Sequence, residues 1–165
     1  KAVPDRIKNE AADLGTKCHE LIDIFVTTGQ WPEIQPKCEP AIRAFKDWVQ
    51  LSRMEFIAGD TKVASLIHGF GGSLDWLGYQ DGKYILGDWK TSSGVYDEYA
   101  LQVGAYWQAL YETYGIKTER AIICRFSKKE PVEFEVKELR DLEISFSAFL
   151  FAKKLKELMD TEHFI

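Results

Sequence analysis

Asp75, Asp88 and Lys90 fall within GGSLDWLGYQDGKYILGDWKTSS, residues 71–93, a stretch that otherwise reads as two apolar strands and a turn. A carboxylate or ammonium in such surroundings is costly unless its charge is paired. Asp81-Gly82 is a strong hairpin-turn signal. With those residues at the centre of the turn, Gln80 faces Lys83, Leu77 faces Leu86, and Asp75 faces Asp88. The two-residue alternation of a strand adds Lys90 to the same face. Two carboxylates opposite one another stand roughly 5 Å apart at Cβ and repel each other. A divalent cation offsets that repulsion, and Mg2+ is commonly held by one or two carboxylates plus waters. A solvated salt-bridge cluster would need a polar strand face. Trp76, Leu77, Ile85, Leu86 and Trp89 instead make both faces apolar, so the pattern points to a metal site.

The elements around this hairpin follow from hydrophobic period. Leu14, Cys18, Leu21, Ile22 and Phe25 recur at helical spacing and predict a helix over 5–28. Gly29 and three prolines mark a loop, and Ile42, Phe45, Trp48 and Val49 predict a second helix over 39–51. RMEFIAG and KVASLIHGF read as separate strands ahead of the hairpin. DEYALQVGAYWQALYETYG predicts an amphipathic helix closed by Gly115. TERAIICRFS and PVEFEV read as strands, and residues 137–160 as a long terminal helix. No internal repeat or low-complexity segment interrupts the order. The expectation is one α/β domain over 1–165, with helices flanking a mixed sheet.

Composition narrows the function classes. The 165 residues are 45% hydrophobic and 28% charged, an ordinary globular balance. A net charge of −5 argues against a non-specific nucleic-acid coat, yet leaves room for a local basic groove. Cys18, Cys38 and Cys124 form no C-x-x-C pair, so a zinc ribbon and a disulfide framework are unsupported and reduced, buried thiols are expected. ISFSAFLFA is too short to span a bilayer. No signal peptide is read, and the start at Lys1 is expected to reflect trimming. A cytoplasmic, intracellular protein without a membrane partner is expected.

Taken together, four features resemble the RecB-like exonuclease branch of the PD-(D/E)XK nucleases. They are GTKCHELI with His19, the hairpin acid Asp75, Asp88-Trp89-Lys90-Thr91, and the Q-x-x-x-Y pair Gln102 and Tyr106. They occur in the family's order and span Gly15 to Trp107. The resemblance implies a restriction-endonuclease-like core. It also implies one or two Mg2+ or Mn2+ ions on Asp75 and Asp88, the Trp89 carbonyl and His19. Lys90 would position the attacking water and offset phosphate charge. Gln102 would bond near the metal or scissile strand, with Tyr106 packed beneath it. Glu55 reads either as a further acid aimed at the site or as a surface glutamate. Thr91, Ser92 and Ser93 read as phosphate donors or as an ordinary loop.

Some relatives carry four cysteines around an iron–sulfur cluster, and this chain does not, so no cluster is expected. No G-x-x-x-x-G-K-[ST] loop is present either, which excludes that helicase signature. The resemblance therefore implies a compact, phage-type stand-alone nuclease, or a nuclease domain cut from a larger protein. It would be a metal-dependent exonuclease acting on single-stranded DNA ends in recombination, repair or phage DNA processing. Two alternatives stay open: a structure-specific endonuclease of the same fold, and a degenerate DNA-binding or assembly module. Protein partners are not legible.

Overall fold

The computed structural model describes residues 3–161. Its elements are α1 (Val3–Thr28), α2 (Glu39–Ser52), β1 (Glu55–Ser65), β2 (Phe70–Gln80), β3 (Lys83–Lys90), α3 (Tyr99–Tyr114), β4 (Arg120–Phe126), β5 (Phe134–Glu138) and α4 (Leu142–Met159). The five strands lie in sequence order. All neighbours are antiparallel except β3 and β4. That parallel pair needs a crossover, and α3 supplies it.

Strand alternation splits the sheet's side chains between two cores, except that Leu74 and Trp76, two residues apart on β2, fall on opposite faces, so the alternation breaks at Asp75. Trp76, Ile85, Trp89, Ile122 and Phe126 pack with Ile22 of α1 and Phe45 and Trp48 of α2. Leu74, Leu77, Leu86 and Ile123 pack on the other face with Val103 and Leu110 of α3 and with Leu142 at the start of α4. The first core is largely aromatic. Trp76 and Trp89 are fully buried and stack at 4.9 Å, while Phe45 meets Trp89 edge-on at 5.5 Å. The three cysteines are free and buried, and burial pushes the Cys18 thiol up to about 12. Among the described residues no helix is long and apolar enough to cross a membrane.

Helix limits follow local chemistry. Gly29, at φ 71°, closes α1 by donating its N–H to Phe25 O at 2.8 Å, and Gly115, at φ 70°, closes α3 through Tyr111 O. Pro40 sits in the first turn of α2, where a missing N–H costs little.

Two expected boundaries are corrected. Glu55–Gly59 of RMEFIAG and Lys62–Ser65 of KVASLIHGF belong to the single strand β1, residues 66–69 form the turn that follows, and only Phe70 of the second segment belongs to β2. A register shift between Phe56 and Ala58, and Asp60 at φ 34°, break the alternation that would have marked one strand. At the other end, β5 begins at Phe134 and runs through Lys137 and Glu138, which were expected in the terminal helix. Asp141 accepts the Ile144 N–H at 2.8 Å and starts α4 there, while Arg120 holds Glu138 against β4 with two bonds.

Gly87 is where the sheet admits the tryptophan stack. A Cβ there would fall 1.6 Å from Cε2 of Trp76. Gly87→Ala is therefore expected to cost about 3 kcal/mol or more, above the usual range for overpacking because the obstacle is a buried ring. A urea midpoint matching that of the unmodified protein would show that the stack can shift aside.

Candidate active site

The hairpin register is the expected one as far as Gln80–Lys83, Leu77–Leu86 and Trp76–Gly87. There the backbone ladder between β2 and β3 stops. β3 continues alongside β4, with Asp88 opposite Ile123 and Lys90 opposite Arg125. β2 continues only with β1. At the fork the Asp75 carboxylate takes the place of a main-chain acceptor: its Oδ2 receives the Trp89 N–H at 2.6 Å. Asp75 is thus fixed by the residue between Asp88 and Lys90.

Lys90 joins the sheet to α3. Its Nζ lies 2.7 Å from Asp88 Oδ2, off the axis of a good hydrogen bond, and donates to Gln102 Oε1 at 3.0 Å. It also sits 4.8 Å over the Tyr99 ring. Gln102 Nε2 donates in turn to the Tyr106 hydroxyl at 3.2 Å. Tyr106 closes against Gly72 of β2, where a Cβ would come within 2.7 Å of its ring. Asp88, Lys90, Gln102 and Tyr106 therefore form one connected chain beside Asp75. The i,i+4 spacing on α3 makes this possible.

His19 reaches the same place from α1. Burial, then the Lys90 charge, push its pKa down to about 4, so the imidazole is neutral at ordinary pH. Burial and then the Asp75 charge push Asp88 up to about 6, against the opposing pull of Lys90. Asp75 is also raised, chiefly by burial, although the Trp89 N–H works the other way. Thr91 is buried, and it and Ser92 line a cleft of about 360 Å³ together with His19 and Lys90. Ser93 lines a neighbouring, wider cleft and bonds the Tyr96 hydroxyl.

Glu55 is not brought to the site. It is exposed and pairs with Tyr79, four strand positions beyond Asp75, or roughly 13 Å along β2. The acids that do face Asp75 are Asp23 and Asp60, neither of them among the residues expected from the sequence. Asp23 lies one helical turn after His19, and burial, then Asp75, push it up to about 7. The His19–Asp23 spacing was the available signal. Asp60 sits at the irregular point of β1, held low by the Ser73 hydroxyl. Nothing in the local sequence marks its positive φ.

Comparison with solved structures gives a match to a candidate exonuclease from Eubacterium rectale. Identity is 12% and the TM-score 0.58, over 88% of this chain and 65% of the other. The chain has a restriction-endonuclease-like fold. It spans about two thirds of the length of that neighbour. An alkaline exonuclease from Laribacter hongkongensis aligns at 17% identity over 78% of this chain and 77% of the other, with a TM-score of 0.44. No family model matches the chain, and no curated protein matches it in sequence.

A divalent cation suits the donor chemistry. Asp75 and Asp88 offer hard carboxylate oxygens, and Asp88 Oδ2 is buried without an aligned donor. Neutral His19 keeps a ring lone pair. Among the described residues no three His, Cys, Asp or Glu side chains gather tightly enough to hold an ion by themselves. The fitting set is therefore the two aspartates, completed by main-chain oxygen and water, with His19 at the margin.

These shifts set a pH dependence for the metal-free protein. Asp23 and Asp88 retain protons in the folded state that the unfolded chain has released, so their contribution to stability is lost as pH rises through about 6 and 7. His19 acts oppositely: its contribution is present above 6.5 and lost as pH falls toward about 4. Over the shared window the acids outnumber the histidine. Thermal unfolding in EDTA should show a higher midpoint at pH near 5 than near 8, and Asp88→Asn should melt above wild type near pH 8. A reversed profile would mean that Asp88 serves Lys90 as a structural ion-pair partner.

Proposed function

We propose that this chain is a Mg2+- or Mn2+-dependent nuclease that hydrolyses DNA phosphodiester bonds as an exonuclease, from single-stranded ends. The observation that carries the reading is the connected set Asp88, Lys90, Gln102 and Tyr106 beside Asp75. It sits on a fold shared with a candidate exonuclease. A set of buried, mutually repelling acids is expensive to keep for structure alone. As a hydrolytic centre it has a use.

The cation, held by Asp75 and Asp88 when bound, supplies Lewis acidity toward water and phosphate oxygens. The protein's own contributions are positional. The Trp89 N–H fixes one Asp75 oxygen and so aims the other. Lys90 places an ammonium at the wall of the cleft, where it can donate to a non-bridging phosphate oxygen and offset the charge that grows in the transition state. Gln102 and the Tyr99 ring stop that ammonium from swinging into solvent, and Tyr106 orients Gln102. His19 stays neutral and able to bind the cation or accept a proton from water. Thr91 and Ser92 offer hydroxyls to phosphate along the cleft.

End-labelled linear DNA and a covalently closed circle, each incubated with Mg2+, Mn2+ or EDTA, test this directly. Linear single strands should be shortened in either metal, EDTA should abolish the reaction, and the circle should survive. Lys90→Ala should lower kcat at least a hundredfold, the order expected for a lost charge-stabilising donor. Weaker binding would not account for such a drop. Robust cleavage in EDTA would overturn the metal-dependent reading. Cutting of the circle would replace the exonuclease with an endonuclease.

A further inference from the structure

The cleft that exposes Lys90 does not end there. It runs between α1 and the turn joining β4 to β5, and Thr16, His19, Thr91, Ser92 and Lys128 complete its polar lining. Among the described residues no acid lines it, although the whole chain carries a net charge of −5. A wider cleft of about 920 Å³ shares Ala11, Thr91, Ser92 and Lys128 with it and continues along the β4–β5 turn past Lys129. The acids on that wall are already neutralised. Glu130 pairs with Arg43, and Glu133 with Arg125, both at 3.1 Å.

Lys128 has no such partner among the described residues. Among the described residues its ammonium bonds only the Ala11 carbonyl, at 2.8 Å. An ammonium has three donors, so two remain for a ligand. The approach of α1 to this wall depends on Gly15, whose Cβ would stand 2.9 Å from Thr91 Oγ1 and 3.8 Å from Lys128 Nζ. A side chain at that position would fill the mouth of the cleft.

We propose that this cleft is a phosphodiester subsite, in which Lys128 binds a backbone phosphate of a nucleic-acid strand that runs on to Lys90. The assignment rests on the nuclease reading and adds to it the path of the substrate. The continuity of the two clefts favours a polymer over a lone anion. Cations and hydroxyls at the Lys90 end, with the wider cleft's Glu130 and Glu133 already ion-paired, favour backbone over base recognition. Lys128 is then a positioning residue: it holds the strand and takes no part in bond cleavage.

The test combines binding in EDTA with turnover in Mg2+, using a single-stranded oligodeoxynucleotide with either a 5′-phosphate or a 5′-hydroxyl end. Lys128→Ala should raise Kd and KM roughly tenfold at low salt, leave kcat unchanged, and lower the slope of log Kd against log salt by about 0.7, one phosphate contact. Lys128→Arg should restore most of the affinity. Lys154→Ala, on the exposed surface of α4, should change nothing. Lys128→Gln, with a melting curve, guards against loss of the Ala11 contact being mistaken for loss of a ligand.

Several outcomes separate the claims. Wild type that cuts DNA while Lys128→Ala matches it in KM and salt slope would overturn the subsite and leave the nuclease reading intact. Wild type that binds DNA in a Lys128-dependent way but never cuts would overturn the nuclease reading and support the subsite. An effect confined to the 5′-phosphate oligonucleotide would overturn the backbone assignment in favour of a terminal monoester. No binding by wild type would overturn both.

Discussion

The fork between β2 and β3 is the constraint on which the rest of the molecule depends. Up to Trp76 and Gly87 the two strands share a backbone ladder, and beyond it a side-chain carboxylate does the bonding. A main-chain N–H this deep must find an acceptor, and Asp75 provides one. That single bond ties the position of one acid to the Asp88–Lys90 strand. The neighbouring tryptophans make the fork rigid: Trp76 and Trp89 stack in the aromatic core on one face, and Asp88, next to Trp89 on β3, points to the other. A loosened stack would carry Asp75 and Asp88 with it.

The site is assembled from three layers, each contributing one kind of chemistry. The sheet supplies the carboxylates and the ammonium. Through Tyr99, Gln102 and Tyr106, α3 supplies the groups that hold the ammonium still. A neutral imidazole and the wall of the cleft come from α1. Because α1 and α3 cover opposite faces of the sheet, the cleft opens where the strands end, beyond Lys90. Polar side chains can there meet both solvent and the low-dielectric interior. Charges held in such a place act strongly, since the field of each is little screened.

Electrostatic strain is the visible cost of this arrangement. Asp23, Asp75 and Asp88 all have raised pKa values because burial and mutual repulsion act in the same direction. Lys90 and the N–H groups of Trp89 offset only part of it. Elsewhere the protein settles its charges conventionally, as in the Arg120–Glu138 pair and the Arg125 contacts with Glu133 and Glu135. Several buried acids raised together in one place are typical of a functional site.

Much of this was legible in the chain. The Asp81-Gly82 turn fixed the hairpin register because turn geometry is local, and the register placed Asp88 and Lys90 on one face. Helical spacing likewise joined Gln102 to Tyr106. The sequence could not show that the ladder would end at Trp76, since that depends on an Asp75 carboxylate outcompeting a main-chain carbonyl. Nor could it show that Glu55 would lie too far along β1 while Asp60, at a positive φ, faced the site. Asp23 and Lys128 lie far from the hairpin in sequence. They reach the site only because α1 and the β4–β5 turn pack against the end of the sheet. Backbone periodicity fixes which residues share a face within one element; which faces meet is decided by burial of the two cores, and no local pattern encodes that.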